Sequence, residues 1–313
     1  MRPGTLKLLL VFGAVATVLF FMQHILQLFE VVRTYATFHS LVRTHPDLLY
    51  RYPETIDGPV VVPKILHYVV LGDAELSKYD DALKSCRDLH KDWKYEIWTD
   101  ETADQFLADN YPDILPHYKG YHQNIQRANV LRYALLHKFG GVYLDLDVSC
   151  LVALDSTSLL KLPFVSPGAH PAGVNNAFIA AQPGHPFLGS VLEAVPSHDM
   201  FWGIFIRIPY VENMLSTGCM FYTNMWMAYV RSLLAGSPES PVHILADETG
   251  DMKPHMLRGK IVTPIFAHGG ASSWHSWDAA ILLTIGKNYT LFVSVLGVTA
   301  VAEVAQHDEI KDC

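Results

Sequence analysis

Gly140-Gly141-Val142-Tyr143-Leu144-Asp145-Leu146-Asp147 decides how this chain is read. The glycine pair stops whatever precedes it, and Val142 to Leu144 has the composition of a buried strand. Two aspartates, one residue apart, follow the strand directly. On a strand, residues i and i+2 point to the same side. At the carboxyl end of a strand in an α/β sheet, that side opens into the crevice where ligands bind. Two carboxylates converging there form a hard-oxygen site for Mn²⁺ or Mg²⁺, with positions left for phosphate oxygens. Asp145 and Asp147 are therefore the candidate catalytic and metal-binding residues. An Asp-x-Asp alone fits a solvated loop equally well, so the neighbouring sequence has to decide.

Upstream, Ala128, Leu131, Leu135 and Phe139 recur at i, i+3, i+7 and i+11, which predicts a helix with one buried face that ends at Gly140-Gly141. Asn129, Arg132 and Tyr133 lie on the flank of that stripe, near the same strand end. They are the candidate substrate-binding residues, with Arg132 suited to bidentate contact with an anion. Further upstream, Val60 to Val70 reads as a strand closed by Gly72-Asp73, and a helix is expected over Ser77 to His90. Tyr95 to Trp98 reads as a second strand, closed by Thr99-Asp100 as a helix cap. This alternation predicts an α/β sheet of parallel strands. Downstream, His268-Gly269-Gly270-Ala271-Ser272-Ser273-Trp274-His275 reads as a site loop. A neutral His268 imidazole can complete a metal shell. Ser273 and Trp274 are candidate sugar contacts, Trp through its apolar face.

Half of the 313 residues are hydrophobic and 17% are charged, which excludes a disordered chain. Net charge is −8 and no Lys/Arg stripe is present, so no nucleic-acid partner is expected. The four cysteines, at 86, 150, 219 and 313, include no CxxC pair. Buried thiols and one or two disulfides in an oxidising lumen both fit, and spacing does not assign connectivity.

Leu8 to Phe29 carries no formal charge over 22 residues and follows Arg2 and Lys7. That length and flank predict an uncleaved transmembrane signal anchor with the bulk of the chain lumenal; a cleaved signal peptide is the competing reading, against which the run is long and no clean A-x-A site follows it. A stem is expected over 30–59 and a catalytic domain over 60–278. Residues 279–305 form a hydrophobic segment interrupted by Lys287. A second transmembrane helix, a buried helix and an interfacial helix all fit it. Asn288-Tyr289-Thr290 is a glycosylation sequon.

These residues resemble the glycosyltransferases with a DXD-containing sugar-binding region, among them fungal inositol-phosphoceramide mannosyltransferases and initiating α-1,6-mannosyltransferases. The likeness runs from about Pro63 to Asp278. It is carried by Val62 to His67, Tyr95 to Asp100, Arg127 to Tyr133, Gly140 to Asp147, Asn175 to Phe178 with Gly184 to Phe187, and His268 to His275. The resemblance implies one nucleotide-diphosphosugar transferase domain of the GT-A type. It implies transfer of a hexose, mannose from GDP-mannose being the best match, to a lipid acceptor such as inositol phosphorylceramide, with retention of configuration. It also implies a Golgi membrane setting and a small regulatory membrane subunit as partner. Two positions depart from the family pattern. Asn129 stands where the family has a donor-contacting Asp, and Cys219 follows Ser216-Thr217-Gly218 where the family has Pro. Two other readings are kept. One is a non-catalytic sugar-binding subunit, motivated by Asn129. The other is a haloacid-dehalogenase-type phosphatase, for which Asp145 to Ser149 nearly supplies the motif.

Overall fold

The computed structural model describes residues 3–200, 207–252, 261–270 and 277–288. In chain order its elements are α1 (Pro3–Thr44), β1 (Leu49–Arg51), β2 (Ile65–Val69), α2 (Asp80–Leu89), β3 (Lys94–Trp98), α3 (Asp100–Asn110), α4 (Leu115–Gly120), α5 (Asn124–Phe139), β4 (Gly141–Leu144) and β5 (Val148–Cys150). There follow β6 (Phe164–Pro167), β7 (Phe178–Ala181), α6 (Pro186–His198), α7 (Pro209–Ser216), α8 (Cys219–Leu234), β8 (His243–Ala246), β9 (Ile261–Val262), β10 (Phe266–His268) and α9 (Trp277–Lys287).

Seven strands form the main sheet in the order β1-β8-β6-β7-β4-β2-β3. β4 lies at its interior with all four residues buried. Alternation along β4 sends Tyr143 into the core on one face, built largely from α5, α6 and α8, and Val142 and Leu144 into the core on the other, which includes Leu83, Trp93 and Leu154. The expected all-parallel sheet is corrected to a mixed one. β7 runs antiparallel to both β4 and β6, while the remaining pairs are parallel. A second, antiparallel sheet of order β5-β10-β9 sits beside it.

The glycine pair has a steric reason. α5 ends on Gly140 at φ 64° and β4 begins on Gly141 at φ 97°. Both values lie in the region that favours glycine. A Cβ on Gly141 would come within 2.7 Å of the Ile65 carbonyl oxygen in β2. His67 of β2 closes this junction from below: its Nε2–H donates to the Gly140 carbonyl at 2.9 Å, and its Nδ1 accepts from the Trp98 indole at 3.3 Å.

The predicted helix over Ser77 to His90 is present as a 3-10 turn followed by α2, and Thr99 precedes α3 with its N–H donating to Thr102 Oγ1. Residues 30–59 do not form an extended stem. α1 continues to Thr44, burying Thr34, Phe38 and Val42, because a stripe at helical spacing faces α8 and the core. Leu49–Arg51 then join the sheet edge as β1 beside β8. A disulfide links Cys86 of α2 to Cys150 of β5, the pairing that spacing had left open, and Cys219 is a free thiol.

The apolar run over 8–29 lies within α1, where Leu8, Leu10, Phe12, Val15 and Val18 are exposed. Among the described residues no helix is long and apolar enough to cross a membrane; the side chains of residues 9, 16, 19 and 20 lie outside that description. Of the hydrophobic segment 279–305, α9 is described as far as its end, and its Ala279 and Leu283 are buried against Tyr210 and Met214 of α7. The remainder lies outside the described residues.

Candidate active site

The two aspartates sit past the end of β4, in a turn, and not on the strand as alternation suggested. The Asp145 N–H donates to the Ala177 carbonyl of the strand-leading segment before β7, and the Val148 N–H closes the turn on the Asp145 carbonyl at 3.0 Å. β5 then leads away and pairs with β10, placing His268 opposite Val148. This register brings a residue more than a hundred positions downstream beside Asp147. Ligand atoms of Asp145, Asp147 and His268 all lie within 4.8 Å of one another. His268 Nε2 is 3.0 Å from Asp147 Oδ1 and 3.9 Å from Asp145 Oδ2. Burial opposes a charge on this imidazole. The hydrogen bond to Asp147 and the two carboxylate charges outweigh it and raise the His268 pKa. Two carboxylates and an imidazole nitrogen at this separation fit a divalent cation of the Mn²⁺ or Mg²⁺ type.

Arg132, on α5, is 2% exposed. Its Nη1 lies 2.9 Å from Asp145 Oδ1 and 2.8 Å from the Asn176 carbonyl, and its guanidinium stacks 4.4 Å over the Tyr143 ring. Burial alone would lower its pKa. The charge of Asp145 reverses that and holds it protonated. The Tyr143 hydroxyl donates to the same Asp145 Oδ1 at 2.8 Å. With one oxygen of Asp145 taken by these two donors, Oδ2 is the oxygen turned toward His268. The same engagement makes Asp145 a poor nucleophile, which counts against the phosphatase reading.

Asn129 and Tyr133, one helical turn apart, are buried like Arg132 and do not form the solvated flank of a surface helix. Asn176 Nδ2 donates to Asn129 Oδ1 at 3.1 Å and to the Tyr133 oxygen at 2.7 Å. Asn129 Nδ2 donates to Asn213 Oδ1 at 3.0 Å and Thr217 Oγ1 at 3.3 Å, and the Tyr133 hydroxyl to the Thr217 carbonyl at 2.8 Å. Cys219 Sγ–H donates to Asn176 Oδ1 at 3.2 Å. Asn129 and Arg132 line the central cavity, while Tyr133 stands behind them. Ser273 and Trp274 lie outside the described residues. Sequence reasoning did not single out Tyr143, Asn213 or Thr217. For Tyr143 a signal existed: it is two residues before Asp145 and hence on the same side of the chain.

A parallel-dominated α/β sheet that presents an Asp-x-Asp turn, a histidine from a distant strand and a buried arginine in one cavity defines a glycosyltransferase-like protein. Residues 77–161 match the family model described as the glycosyltransferase sugar-binding region containing the DXD motif. "Inositol phosphoceramide mannosyltransferase 1" of Schizosaccharomyces pombe is 30% identical over 77% of this chain and 71% of its own length. "Inositol phosphoceramide mannosyltransferase 3" of the same organism is 33% identical over 79% of this chain, and "Mannosyl phosphorylinositol ceramide synthase SUR1" of Saccharomyces cerevisiae 32% over 78%. The chain spans 65% and 60% of the length of the last two. Among solved structures, "PaToxG Glycosyltransferase" aligns with a TM-score of 0.40 at 13% identity, over 67% of this chain and 82% of that one, a likeness too remote to equate the folds. The chain belongs to the DXD-containing glycosyltransferase family.

Proposed function

We propose that this protein is a membrane-anchored, metal-dependent hexosyltransferase that moves mannose from GDP-mannose to inositol phosphorylceramide, with retention of configuration. The observation that carries the reading is the convergence of Asp145, Asp147 and His268 beside the buried Arg132 on the wall of one cavity. The relatives named above supply the sugar and the acceptor. Membrane anchoring and a lumenal catalytic face rest on Arg2 and Lys7 before the apolar run and on the exposed apolar residues of α1, and Golgi residence rests on the family resemblance alone.

Asp145 Oδ2, the Asp147 carboxylate and His268 Nε2 would hold the cation. When bound, Mn²⁺ or Mg²⁺ supplies Lewis-acid stabilisation to a leaving diphosphate. Arg132 fixes Asp145 in place and adds positive charge at the wall the donor meets. Asn129 has both Nδ2 hydrogens committed to Asn213 and Thr217 and accepts from Asn176, which leaves one lone pair of Oδ1 for a sugar hydroxyl. In the transfer the acceptor hydroxyl forms a bond to the anomeric carbon, the bond from that carbon to the diphosphate oxygen breaks with its electron pair leaving on that oxygen, and the hydroxyl proton passes to the departing diphosphate. Removing the carboxylate ligand should cost roughly 10²–10³-fold in turnover.

The test is donor turnover by the full-length protein with Mn²⁺, offering GDP-mannose, UDP-glucose and UDP-galactose with inositol phosphorylceramide, and with Asp147→Ala as control. Metal-dependent mannosyl transfer that disappears in the variant supports the reading. Donor binding without turnover by the wild type would instead favour a sugar-binding subunit.

A further inference from the structure

The cavity that contains Asp145 and Asp147 has a volume of about 970 Å³, at the upper end of what one small ligand fills. Its lining is divided by polarity. One half carries Asp73, Glu75, Lys78 and Arg132 together with the carboxylate pair. The other half is contributed by α1, α7, α8 and α9, and none of the residues those helices give to the lining is charged. From α1 come Leu28, Val31 and Tyr35, spaced i, i+3 and i+7 on one helical face. Leu282 and Leu283 of α9 and Met220 of α8 face the same space.

A nucleotide-sugar is polar along almost its whole length and gives no reason for Leu28, Val31, Met214, Met220, Leu282 and Leu283 in the lining. Yet the helix that forms one wall of it is the helix whose preceding turns carry the exposed apolar run. The wall and the cleft are also tied together. His39 Nε2–H of α1 donates to the Pro171 carbonyl at 2.8 Å, and Pro171 itself lines the cavity. Tyr35 is pressed deeply enough that burial first, and the neighbouring Cys219 second, push its phenol up to about 12.

We propose that the uncharged half of the cavity receives a hydrocarbon chain of the lipid acceptor, with Leu28, Val31 and Tyr35 of α1 as its wall. This rests on the reading above that the acceptor is a lipid, and adds that the anchoring helix is itself a substrate-binding element. Hydrocarbon fits because burial of CH₂ groups against Leu, Val and Met is favourable and needs no polar partner. The headgroup would then face Asp145 and Asp147, which line the same cavity.

The test uses the full-length protein in detergent micelles and an inositol phosphorylceramide carrying a diazirine in its acyl chain. After illumination, labelled residues are mapped by mass spectrometry. Labelling at 28–35 and 282–283, displaced by excess unlabelled lipid, is expected. Leu28→Asn with Val31→Asn should reduce it roughly tenfold. Val32→Asn, on the outward face at 67% exposure, should leave it unchanged. Donor hydrolysis and transfer to water-soluble inositol phosphate should match wild type in Val32→Asn, and in the double variant turnover of the lipid acceptor should fall relative to turnover of the soluble one. Labels confined to 8–22, or insensitive to competitor, overturn the proposal, since the lipid would then only solvate the anchor. The two readings fail separately. Displaceable labelling without donor turnover removes the transferase, whereas donor turnover without labelling removes the chain site.

Discussion

Arg132 shows how much a single buried side chain can organise. Its guanidinium pairs with Asp145, donates to the Asn176 carbonyl and rests on Tyr143, so its removal leaves that carbonyl without this donor and Asp145 without its charge partner, with only the Tyr143 hydroxyl on Oδ1. Arg132→Met is expected to lower unfolding free energy by about 3–5 kcal/mol in urea titration. A smaller loss, within experimental scatter, would mean that Asp145 is solvated without it. Asn129→Asp tests the amide network. The substitution turns a donor toward Asn213 Oδ1 into an acceptor, so a cost of about 1–3 kcal/mol is expected in the melting curve. A gain in both stability and donor turnover would show that the network tolerates the family's carboxylate. His67 and His185 are both buried, and burial lowers each pKa to about 4. For His67 a proton on Nδ1 would meet the Trp98 indole N–H that this nitrogen accepts. The unfolded chain binds these protons near pH 6.5 and the folded chain does not, so stability falls as pH drops from about 6.5 toward 4. His67→Gln should flatten that slope in pH-dependent melting. At this scale Asp145, Asp147 and His268 were legible because the glycine pair, the strand and the helix around the carboxylate pair, and the glycines after the histidine, gave ambiguous residues a setting. Tyr143 was not, because a tyrosine in an apolar strand reads as core.

At the scale of elements, α5, the glycine pair and β4 were legible together: each is specified by neighbours within a few residues. Phe139 departed from its predicted stripe, since as the last residue of α5 it is 37% exposed. The antiparallel β7 was not legible. Four residues, Phe178 to Ala181, give no period, and strand direction is set by pairing with the preceding strand β6 and with β4, more than thirty residues upstream. The Cys86–Cys150 bridge was likewise a tertiary fact. It pins α2 to β5, three residues beyond Asp147, across a separation of 64 residues. Cys86→Ser, with the partner also replaced, should cost about 2–4 kcal/mol and lower the melting temperature. Equal melting of reduced and oxidised wild type would refute that contribution.

For the molecule as a whole, occupancy of the carboxylate–imidazole site should be visible without catalysis. At a hundredfold excess over its Kd, Mn²⁺ should add about 2.7 kcal/mol to stability, and EDTA should remove it. Asp147→Ala should show no shift on Mn²⁺ addition, and a shift of wild-type size in that variant would place the ion elsewhere. The anchor has its own readout: wild type should stay with membranes through alkaline carbonate, and a variant with Phe12, Val15 and Val18 changed to Lys should be released.

α1 passes without a break from the apolar turns into Phe38 and Val42, and β1 locks the chain that follows it into the sheet edge. With the apolar run seated in a bilayer, such a mount has no swivel. Leu28 belongs to the apolar run and already lines the cavity, so the cleft opens where the run ends, with no spacer between them. A transferase mounted in that way would act in cis, on molecules of its own leaflet, and would not lean out to glycans presented by passing proteins. Its aim is also helical. One residue added to α1 between Phe29 and Tyr35 would turn the cleft by about 100° relative to the membrane, and four would bring it back to face nearly where it began, one pitch higher.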